Sequence, residues 1–417
     1  MRPASEERLR EIPWDALAGR AAALEGPLAE ILAGAVAERV LDRVLRTDPA
    51  LPAAARRAFA EALFGVALWR RRLRAQLADP GAQPRLLLAS LLRDVAGRAD
   101  AEALAGLAEG SLAAPRPPPA ALADRASLPD WLAGALVAAA GDEADAVADA
   151  LNLPGPVFLR VNLLRASRDE AAARLAAEGV ATRPGRLAPA CLAVTSPRPN
   201  VYGLAAHRDG IVEVQDEGSQ LLGALMGARP GESVLDACAG AGGKTLLLAA
   251  DVGFEGCVHA VDPDASRLER LGVRAERAGA QPVIRIHGVT APGSLEVDRA
   301  LVDAPCSELG ALRRGPDLRW RIDPAALPGL PALQREILAR TARHVRPGGR
   351  LVYATCTFRR EENEDVAVAF ERSHPEYARI HPPADPSVVT ADGFVRTWPH
   401  RHGTDGFFAA TWEKAVG

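Results

Sequence analysis

Lysine, paired cysteines and long apolar runs are scarce in this sequence. Only two lysines, Lys244 and Lys414, occur among 50 basic residues. The five cysteines are widely spaced and form no Cys-x-x-Cys pair, which argues against a disulfide framework or a zinc site and favours a reducing compartment. No uncharged apolar run reaches membrane-spanning length, and the charged segment from Met1 to Glu7 lacks the apolar core of a signal peptide. We therefore expect a cytoplasmic protein that uses neither a membrane nor a metal.

The net charge of −3 identifies no partner class, so nucleic-acid binding would need a local basic face. One such face is the arginine cluster at positions 70, 71, 72 and 74, within a helical stretch. The cluster is either a solvated helix face or a contact to RNA phosphates. Because lysine is so rare here, Lys244 in a glycine-rich loop indicates a site that needs a compact ammonium rather than arginine's wide fork.

A length of 417 residues predicts two or three domains. From about residue 6 to residue 110, apolar side chains recur at steps of three and four, which is typical of helices. Helices are expected to resume near Leu128, with Ser127 or Asp130 as the N-terminal cap. This pattern predicts an all-α N-terminal domain.

The pattern changes to strand alternation at Val157. Ser167 and Glu170 then form a capping box that begins a helix. From Val212 onward strand and helix signals alternate, which predicts a Rossmann-like, doubly wound parallel sheet. We therefore predict three domains: a helical domain at 1–145, a small α+β module at 146–210, and an α/β domain at 211–417.

A glycine-rich turn, 239–245, follows the predicted strand 233–238 and precedes a helix. This order lets the backbone approach a nucleotide-like ligand closely. It is not a Walker A loop, because Cys238 stands where that loop has its first glycine, and it is not the dinucleotide fingerprint. Asp262 closes the next strand and suits the ribose hydroxyls of an adenosine cofactor, although it could instead cap a helix. Together these features favour S-adenosylmethionine.

Two cysteines follow apolar runs that are interpreted as neighbouring parallel strands. Cys306 follows Arg299–Val302, and Cys356 follows Arg350–Tyr353. Either thiol could be a small buried hydrophobe, the common fate of a free cysteine. Strand ends of open α/β sheets, however, are where ligands bind, so two thiols there indicate nucleophilic chemistry.

Methylation of a pyrimidine fits such a site. A thiolate added to C6 of cytosine makes C5 able to take a methyl group from a sulfonium donor, and the thiolate must afterwards be expelled. The reaction needs a nucleophilic cysteine, an acid that engages N3 and a group that assists release. Asp303 would fill the second role if it is protonated or shares a proton with the base, a state that burial favours.

The motifs around these residues resemble those of the Sun-type, nucleolar-protein-like RNA cytosine-5 methyltransferases. The resemblance covers roughly residues 155–412 and has five parts: Phe158–Asn162, Gln215–Ser219, Asp303–Ser307 with the segment to Trp320, Tyr353–Thr357 with Glu361–Glu364, and Arg396–His400 with Thr404–Phe408. DNA cytosine-5 methyltransferases place the nucleophile in a Pro-Cys pair. The second cysteine, after Ala-Thr, indicates RNA instead.

The resemblance implies a role for each matched position. Cys356 would be the attacking thiol, Cys306 would assist product release, Asp303 would engage the base, and Lys244 would lie beside the base and Asp303. The cofactor S-adenosylmethionine would be bound by Cys238, Ala239, Gly240, Ala241, Gly242, Gly243, Lys244, Asp262, Arg267, Val289, Asp303 and Pro305.

Two positions depart from the family pattern. Ala241 replaces the usual proline of the first motif, which loosens the turn. Val289 stands where the third motif usually has an aspartate near the cofactor adenine. The sequence therefore predicts weaker cofactor binding than is usual in the family.

The N-terminal helices resemble the NusB-like RNA-binding domain of the bacterial 16S rRNA methyltransferase B group. This similarity favours 16S rRNA as substrate, with transfer RNA open, and we expect a monomer that does not act on DNA. A non-catalytic RNA-binding or ribosome-assembly factor on a decayed scaffold is the main alternative. A methyltransferase for a small molecule is the third, although it would have no use for two cysteines.

Overall fold

A computed structural model describes residues 3–416. Met1 and Arg2, the start of the segment considered above for a signal peptide, and Gly417, the end of the predicted third domain, lie outside the described residues. The chain divides into two compact units. One contains the residues up to Pro154 together with Ala311–Pro324; the other contains Gly155–Gly310 and the residues from Ala325 onward. The boundaries at 145 and 210 stay predictions.

The first unit is helical. Its core gathers Trp14, Leu63 and Trp69, all nearly inaccessible to solvent, and fully burying an apolar side chain contributes about 1.5–3 kcal/mol. Its α-helices are Ala4–Glu7, Glu25–Leu32, Ala37–Thr47, Ala53–Leu77, Pro84–Ser90, Ala101–Leu104, Leu122–Arg125, Asp130–Ala140, Ala144–Leu151 and Leu318–Arg321.

The predicted cap of the helix Asp130–Ala140 is wrong. Pro129 precedes this helix, and no side chain caps it. Ser127 instead has a left-handed backbone, with φ of 54°, and its Oγ accepts a hydrogen bond from the backbone N–H of Arg71 at 3.1 Å. A tertiary contact therefore uses the hydroxyl that the local pattern assigned to the helix end.

The second unit begins with a small antiparallel sheet, whose strands are β1 (Phe158–Val161), β2 (Thr182–Pro184), β3 (Cys191–Val194) and β4 (Val212–Val214). Their order in the sheet is β2-β3-β1-β4. The helix Arg168–Ala177 begins with the predicted capping box: Ser167 Oγ accepts from the Glu170 N–H, and the Glu170 carboxylate accepts from the Ser167 N–H. Because β4 pairs with β1, this sheet extends past the predicted boundary at residue 210.

An eight-stranded sheet forms the rest of the unit, confirming the predicted α/β class. The strands are β5 (Ser233–Asp236), β6 (Cys257–Ala260), β7 (Ile284–Ile286), β8 (Val297–Asp303), β9 (Val345–Thr355), β10 (Tyr377–Arg379), β11 (Val395–Arg396) and β12 (Phe408–Lys414). Seven of them follow the order β10-β12-β9-β8-β5-β6-β7, and β11 pairs with β12. Strands β5 to β9 are parallel, whereas β12 runs antiparallel to β9.

Helices cover both faces of this sheet, as the continuous apolar strands predict. Because side chains alternate along a strand, Val234 packs on one face and Leu235 on the other, and Leu301 and Val302 do the same on β8. The helices of this unit beyond Arg168–Ala177 are Ala205–Arg208, Glu217–Ala224, Gly243–Val252, Ala265–Ala278, Leu330–Ala342, Glu364–Ser373 and Pro399–His402. Among residues 3–416, no helix is both long and apolar enough to cross a bilayer.

Candidate active site

A cleft of about 790 Å³ lies at the carboxyl ends of β5, β6, β8 and β9, the edge where open α/β sheets bind ligands. The predicted site residues that line it are Cys238, Ala239, Gly240, Ala241, Gly243, Lys244, Asp262, Arg267, Val289, Asp303, Pro305, Cys306 and Cys356. Gly242 is the one predicted residue that does not. It faces the sheet-covering helix, where a Cβ would lie 2.2 Å from Leu271 Cδ1.

The glycine-rich turn is shaped by two left-handed glycines and fixed by two arginines. Gly240 and Gly242 have φ of 53° and 88°, a region that favours glycine. Arg274 Nη1 donates to the Ala241 carbonyl at 2.7 Å, and Arg160 donates to the Gly243 carbonyl. These bonds constrain a turn that lacks the family's proline.

Asp262 is buried beside this turn. One of its carboxylate oxygens accepts from the Gly240 N–H and the other from the Asp264 N–H, each at 2.9 Å. Each oxygen retains a further lone pair for a ligand hydroxyl. Arg267, by contrast, is largely exposed and lies 3.4 Å from Asp264.

Asp236 is a cleft residue that sequence reasoning missed. Burial raises the pKa of this carboxyl to about 6. Its Oδ2 accepts from Thr245 Oγ1 at 2.7 Å, whereas its buried Oδ1 has no hydrogen-bond partner within the described chain. The sequence did offer a signal for Asp236, because this acid ends β5 just as Asp262 and Asp303 lie at or just beyond the ends of β6 and β8.

Lys244 and Asp303 form an ion pair, with Nζ 2.6 Å from Oδ2. Burial alone would lower the pKa of Lys244, but the charge and hydrogen bond of Asp303 outweigh it and raise the pKa above its ordinary value. The lysine therefore keeps its proton.

The two cysteines meet across β8 and β9. Their Sγ atoms are 3.3 Å apart, and the Cys356 N–H points to Cys306 Sγ at 3.4 Å. The hydrogen bond with Cys306 and burial raise the pKa of the Cys356 thiol well above its ordinary value. Cys356 is therefore a protonated thiol at neutral pH in this geometry, and its attack requires a route for the proton.

Behind the cysteines, the buried carboxylate of Glu362 joins the two loops that carry them. It accepts from the Ser307 N–H at 2.9 Å and from Ser307 Oγ at 2.6 Å, and Ser307 Oγ lies 2.8 Å from Thr357 Oγ1. Gln334 Nε2 also donates to Glu362 at 3.1 Å. Sequence reasoning recorded Glu362 only as part of a motif and assigned it no role.

Comparison with known proteins identifies the family. Residues 224–413 match the family described as 16S rRNA methyltransferase RsmB/F, and residues 128–201 match the ferredoxin-like domain described as Methyltr_RsmF/B-like. The probable ribosomal RNA small subunit methyltransferase B of Synechocystis is 35% identical over 306 residues, which cover 70% of this chain and 68% of that protein. The chain belongs to the RsmB/F methyltransferase family.

Two further similarities agree with this membership. A probable ribosomal RNA small subunit methyltransferase B from Bacillus subtilis is 35% identical over 309 residues, covering 70% of this chain and 68% of that protein. The crystal structure of PH0851 has a TM-score of 0.76 at 26% identity and covers 96% of this chain and 99% of that one. The resemblance and the predicted methyl donor are thereby confirmed, because RsmB/F enzymes are S-adenosylmethionine-dependent methyltransferases.

The cleft fits this cofactor. The left-handed glycine turn leaves room for close approach, Asp262 has acceptors for ribose hydroxyls, and the unpartnered Asp236 Oδ1 suits a cationic ammonium group. Within residues 3–416, no group of three or more histidine, cysteine or acidic side chains is arranged to hold a metal ion.

Proposed function

We propose that this enzyme methylates C5 of a cytosine in RNA, most favourably 16S rRNA, through a transient bond between Cys356 Sγ and C6. The observation that carries the proposal is the pair of thiols 3.3 Å apart in the same cleft as the Lys244–Asp303 ion pair. A methyltransferase whose target atom is more nucleophilic than C5 of cytosine would need neither an attacking thiol nor a second thiol beside it.

The ion pair gives the Cys356 proton a destination. As the sulfur lone pair forms the bond to C6, the electrons of the C5–C6 double bond move toward C5 and N3 becomes basic. Lys244 gives a proton to N3, and the Cys356 proton passes through Asp303 to Lys244 and restores the ion pair. The net transfer is therefore from the thiol to N3. S-adenosylmethionine, when bound, supplies the methyl group as an electrophile.

Release reverses the addition. The C5 proton leaves to solvent by way of Cys306, and the double bond re-forms. The S–C6 bond breaks with its electron pair returning to Cys356, and the N3 proton passes back to that sulfur. The family resemblance assigns Cys306 to this step, and its sulfur lies 3.3 Å from that of Cys356.

The substrate assignment rests on family membership and on relatives named as ribosomal RNA small subunit methyltransferases. The same membership supports a cytoplasmic location. The predicted cofactor ligands remain part of the proposal, with Asp262 for the ribose and Val289 near the adenine.

A methyl-transfer assay tests the proposal. The full chain is incubated with labelled S-adenosylmethionine and either transcribed 16S rRNA or transfer RNA, and product is mapped by bisulfite sequencing. We expect one labelled cytosine in 16S rRNA with the wild type and with Cys257→Ala, a control that removes a thiol outside the cleft. We expect no label with Cys356→Ala.

Each other outcome corrects a different part of the proposal. Label confined to transfer RNA would support the proposed chemistry but show that the substrate is transfer RNA rather than 16S rRNA. RNA binding without any label would favour the decayed scaffold, and full activity of Cys356→Ala would refute the covalent mechanism.

A further inference from the structure

The arginine cluster on the helix Ala53–Leu77 divides into two structural and two unpaired side chains. Arg71 donates to Asp124 at 2.6 Å and to the Leu128 carbonyl at 2.9 Å. Arg72 is buried and donates to Glu6 at 2.6 Å. These two arginines therefore stabilise the helical unit. The sequence predicted for them either a solvated helix face or a contact to RNA phosphates.

Arg70 and Arg74 lack such partners. Across residues 3–416, neither side chain makes a hydrogen bond or an ion pair, and the Nε of Arg74 is buried with its donor unused. Buried donors are almost always satisfied by protein, water or ligand. An unused guanidinium donor therefore indicates a ligand that supplies acceptors.

Trp320 fixes the position of Arg70. The Arg70 guanidinium carbon lies 4.1 Å from the centroid of the Trp320 ring, and Trp320 Nε1 donates to the Ala67 carbonyl at 2.8 Å. Trp320 is carried by the segment Ala311–Pro324, which belongs to the helical unit and is anchored there by buried Arg319, whose Nη1 donates to Asn152 at 2.7 Å. Both the ring and the guanidinium are thus held in place before any ligand binds.

A cavity of about 520 Å³ lies beside these side chains, lined by Arg70, Arg71, Arg74, Asp124 and Trp320 among others. The carboxylates of Asp124 and Asp130 bind Arg71, and Asp317 accepts from Arg321 at 2.6 Å. Burial and the charge of Arg74 lower the pKa of Arg70 to about 10, so the Arg70 guanidinium stays charged at neutral pH. Two like charges four residues apart on a helix repel each other, and an anion would relieve that repulsion.

We propose that Arg70 and Arg74, with Arg70 oriented by Trp320, bind a phosphodiester group of the RNA substrate. Planar guanidiniums match phosphate oxygens in pairs, and their positive charge is retained. The proposal rests on the proposed function, because it takes the polyanion to be the substrate. Inorganic phosphate offers the same chemistry, so the test must separate the two sources.

The test compares the full-length double variant Arg70→Gln/Arg74→Gln with Arg56→Gln/Arg57→Gln. The control also removes two positive charges from this helix, at positions roughly 20 Å from Arg70 and Arg74, since a helix rises 1.5 Å per residue. The side chains of Arg56 and Arg57 make no ion pair among the described residues. The probe is transcribed 16S rRNA in a binding titration at several salt concentrations. Thermal unfolding is measured for each protein.

For the cavity variant, we expect the RNA Kd to rise by about tenfold or more and the slope of log Kd against log salt to fall by about 1, because one phosphate contact is lost. The loss should appear in the KM for RNA rather than in kcat, because neither arginine lines the cleft that holds the thiols. Tm should be unchanged or higher, because the repulsion is gone.

Three results would overturn the inference. If the cavity variant bound RNA as tightly as the control variant, Arg70 and Arg74 would not be an RNA-binding site. A clear fall in the Tm of the cavity variant would show that the two arginines stabilise the fold instead. A wild-type Tm increase with inorganic phosphate that is lost in the variant, with RNA affinity unaffected, would assign the site to a small anion. Failure of the proposed function is distinguishable: the wild type would then transfer no methyl group, whatever the variants bind.

Discussion

Replacing Val289 with aspartate should tighten S-adenosylmethionine binding. Val289 lines the cleft and is 61% exposed, at the position where the family usually has an acid near the adenine. A hydrogen bond to a charged group contributes about 1.5–3 kcal/mol when shielded. Solvent at this exposed position competes for it, so we expect about 1 kcal/mol, equivalent to an about fivefold lower Kd.

Isothermal titration of the cofactor into three proteins measures this effect. The variants are Val289→Asp and Val289→Thr, the second being nearly isosteric with valine but uncharged. We expect the aspartate variant to bind about fivefold more tightly than wild type and the threonine variant to stay within about twofold. Equal or weaker binding by the aspartate variant would refute both the position of the adenine and the predicted weak affinity.

Three other predictions concern the thiols and their surroundings. Cys306→Ala removes the hydrogen bond that most raises the pKa of Cys356, so the pH of half-maximal alkylation of Cys356 by iodoacetamide should fall, and an unchanged midpoint would contradict this cause. Glu362→Gln should lower the free energy of unfolding by about 2–4 kcal/mol and slow methyl transfer while leaving cofactor Kd unchanged, because it replaces a buried carboxylate that accepts four hydrogen bonds; a stable, fully active variant would refute its positioning role. Lys244→Arg should reduce methyl transfer about 100-fold or more, because a guanidinium does not readily give up the proton that Lys244 supplies to N3, and near-normal activity would show that charge alone suffices.

The sequence predicted those features that depend on local patterns. The apolar runs before Cys306 and Cys356 became β8 and β9, and the Ser167 capping box formed as expected, because both signals lie within a few residues. Parallel neighbours bring strand ends to one edge, which is why the cleft residues could be grouped without coordinates.

Features that depend on distant contacts were not predictable. The sequence around Trp320 does not indicate that its segment packs into the helical unit, because the hydrogen-bond partner of Arg319, Asn152, is distant in the sequence. The bridge made by Glu362 likewise joins loops 55 residues apart. The family resemblance implied that Lys244 lies beside Asp303, but no local pattern indicated a direct ion pair with the two side chains 2.6 Å apart.

Mass spectrometry of the trapped protein–RNA adduct tests the central claim most directly. Cys306→Ala is incubated with S-adenosylmethionine and 16S rRNA, digested with nuclease and protease, and searched for a peptide that carries a methylated nucleotide. The account predicts that the modified residue is Cys356 and that Cys356→Ala yields no adduct. An adduct on Cys306 in the Cys356→Ala protein, with none in Cys306→Ala, would contradict the account and exchange the roles of the two thiols.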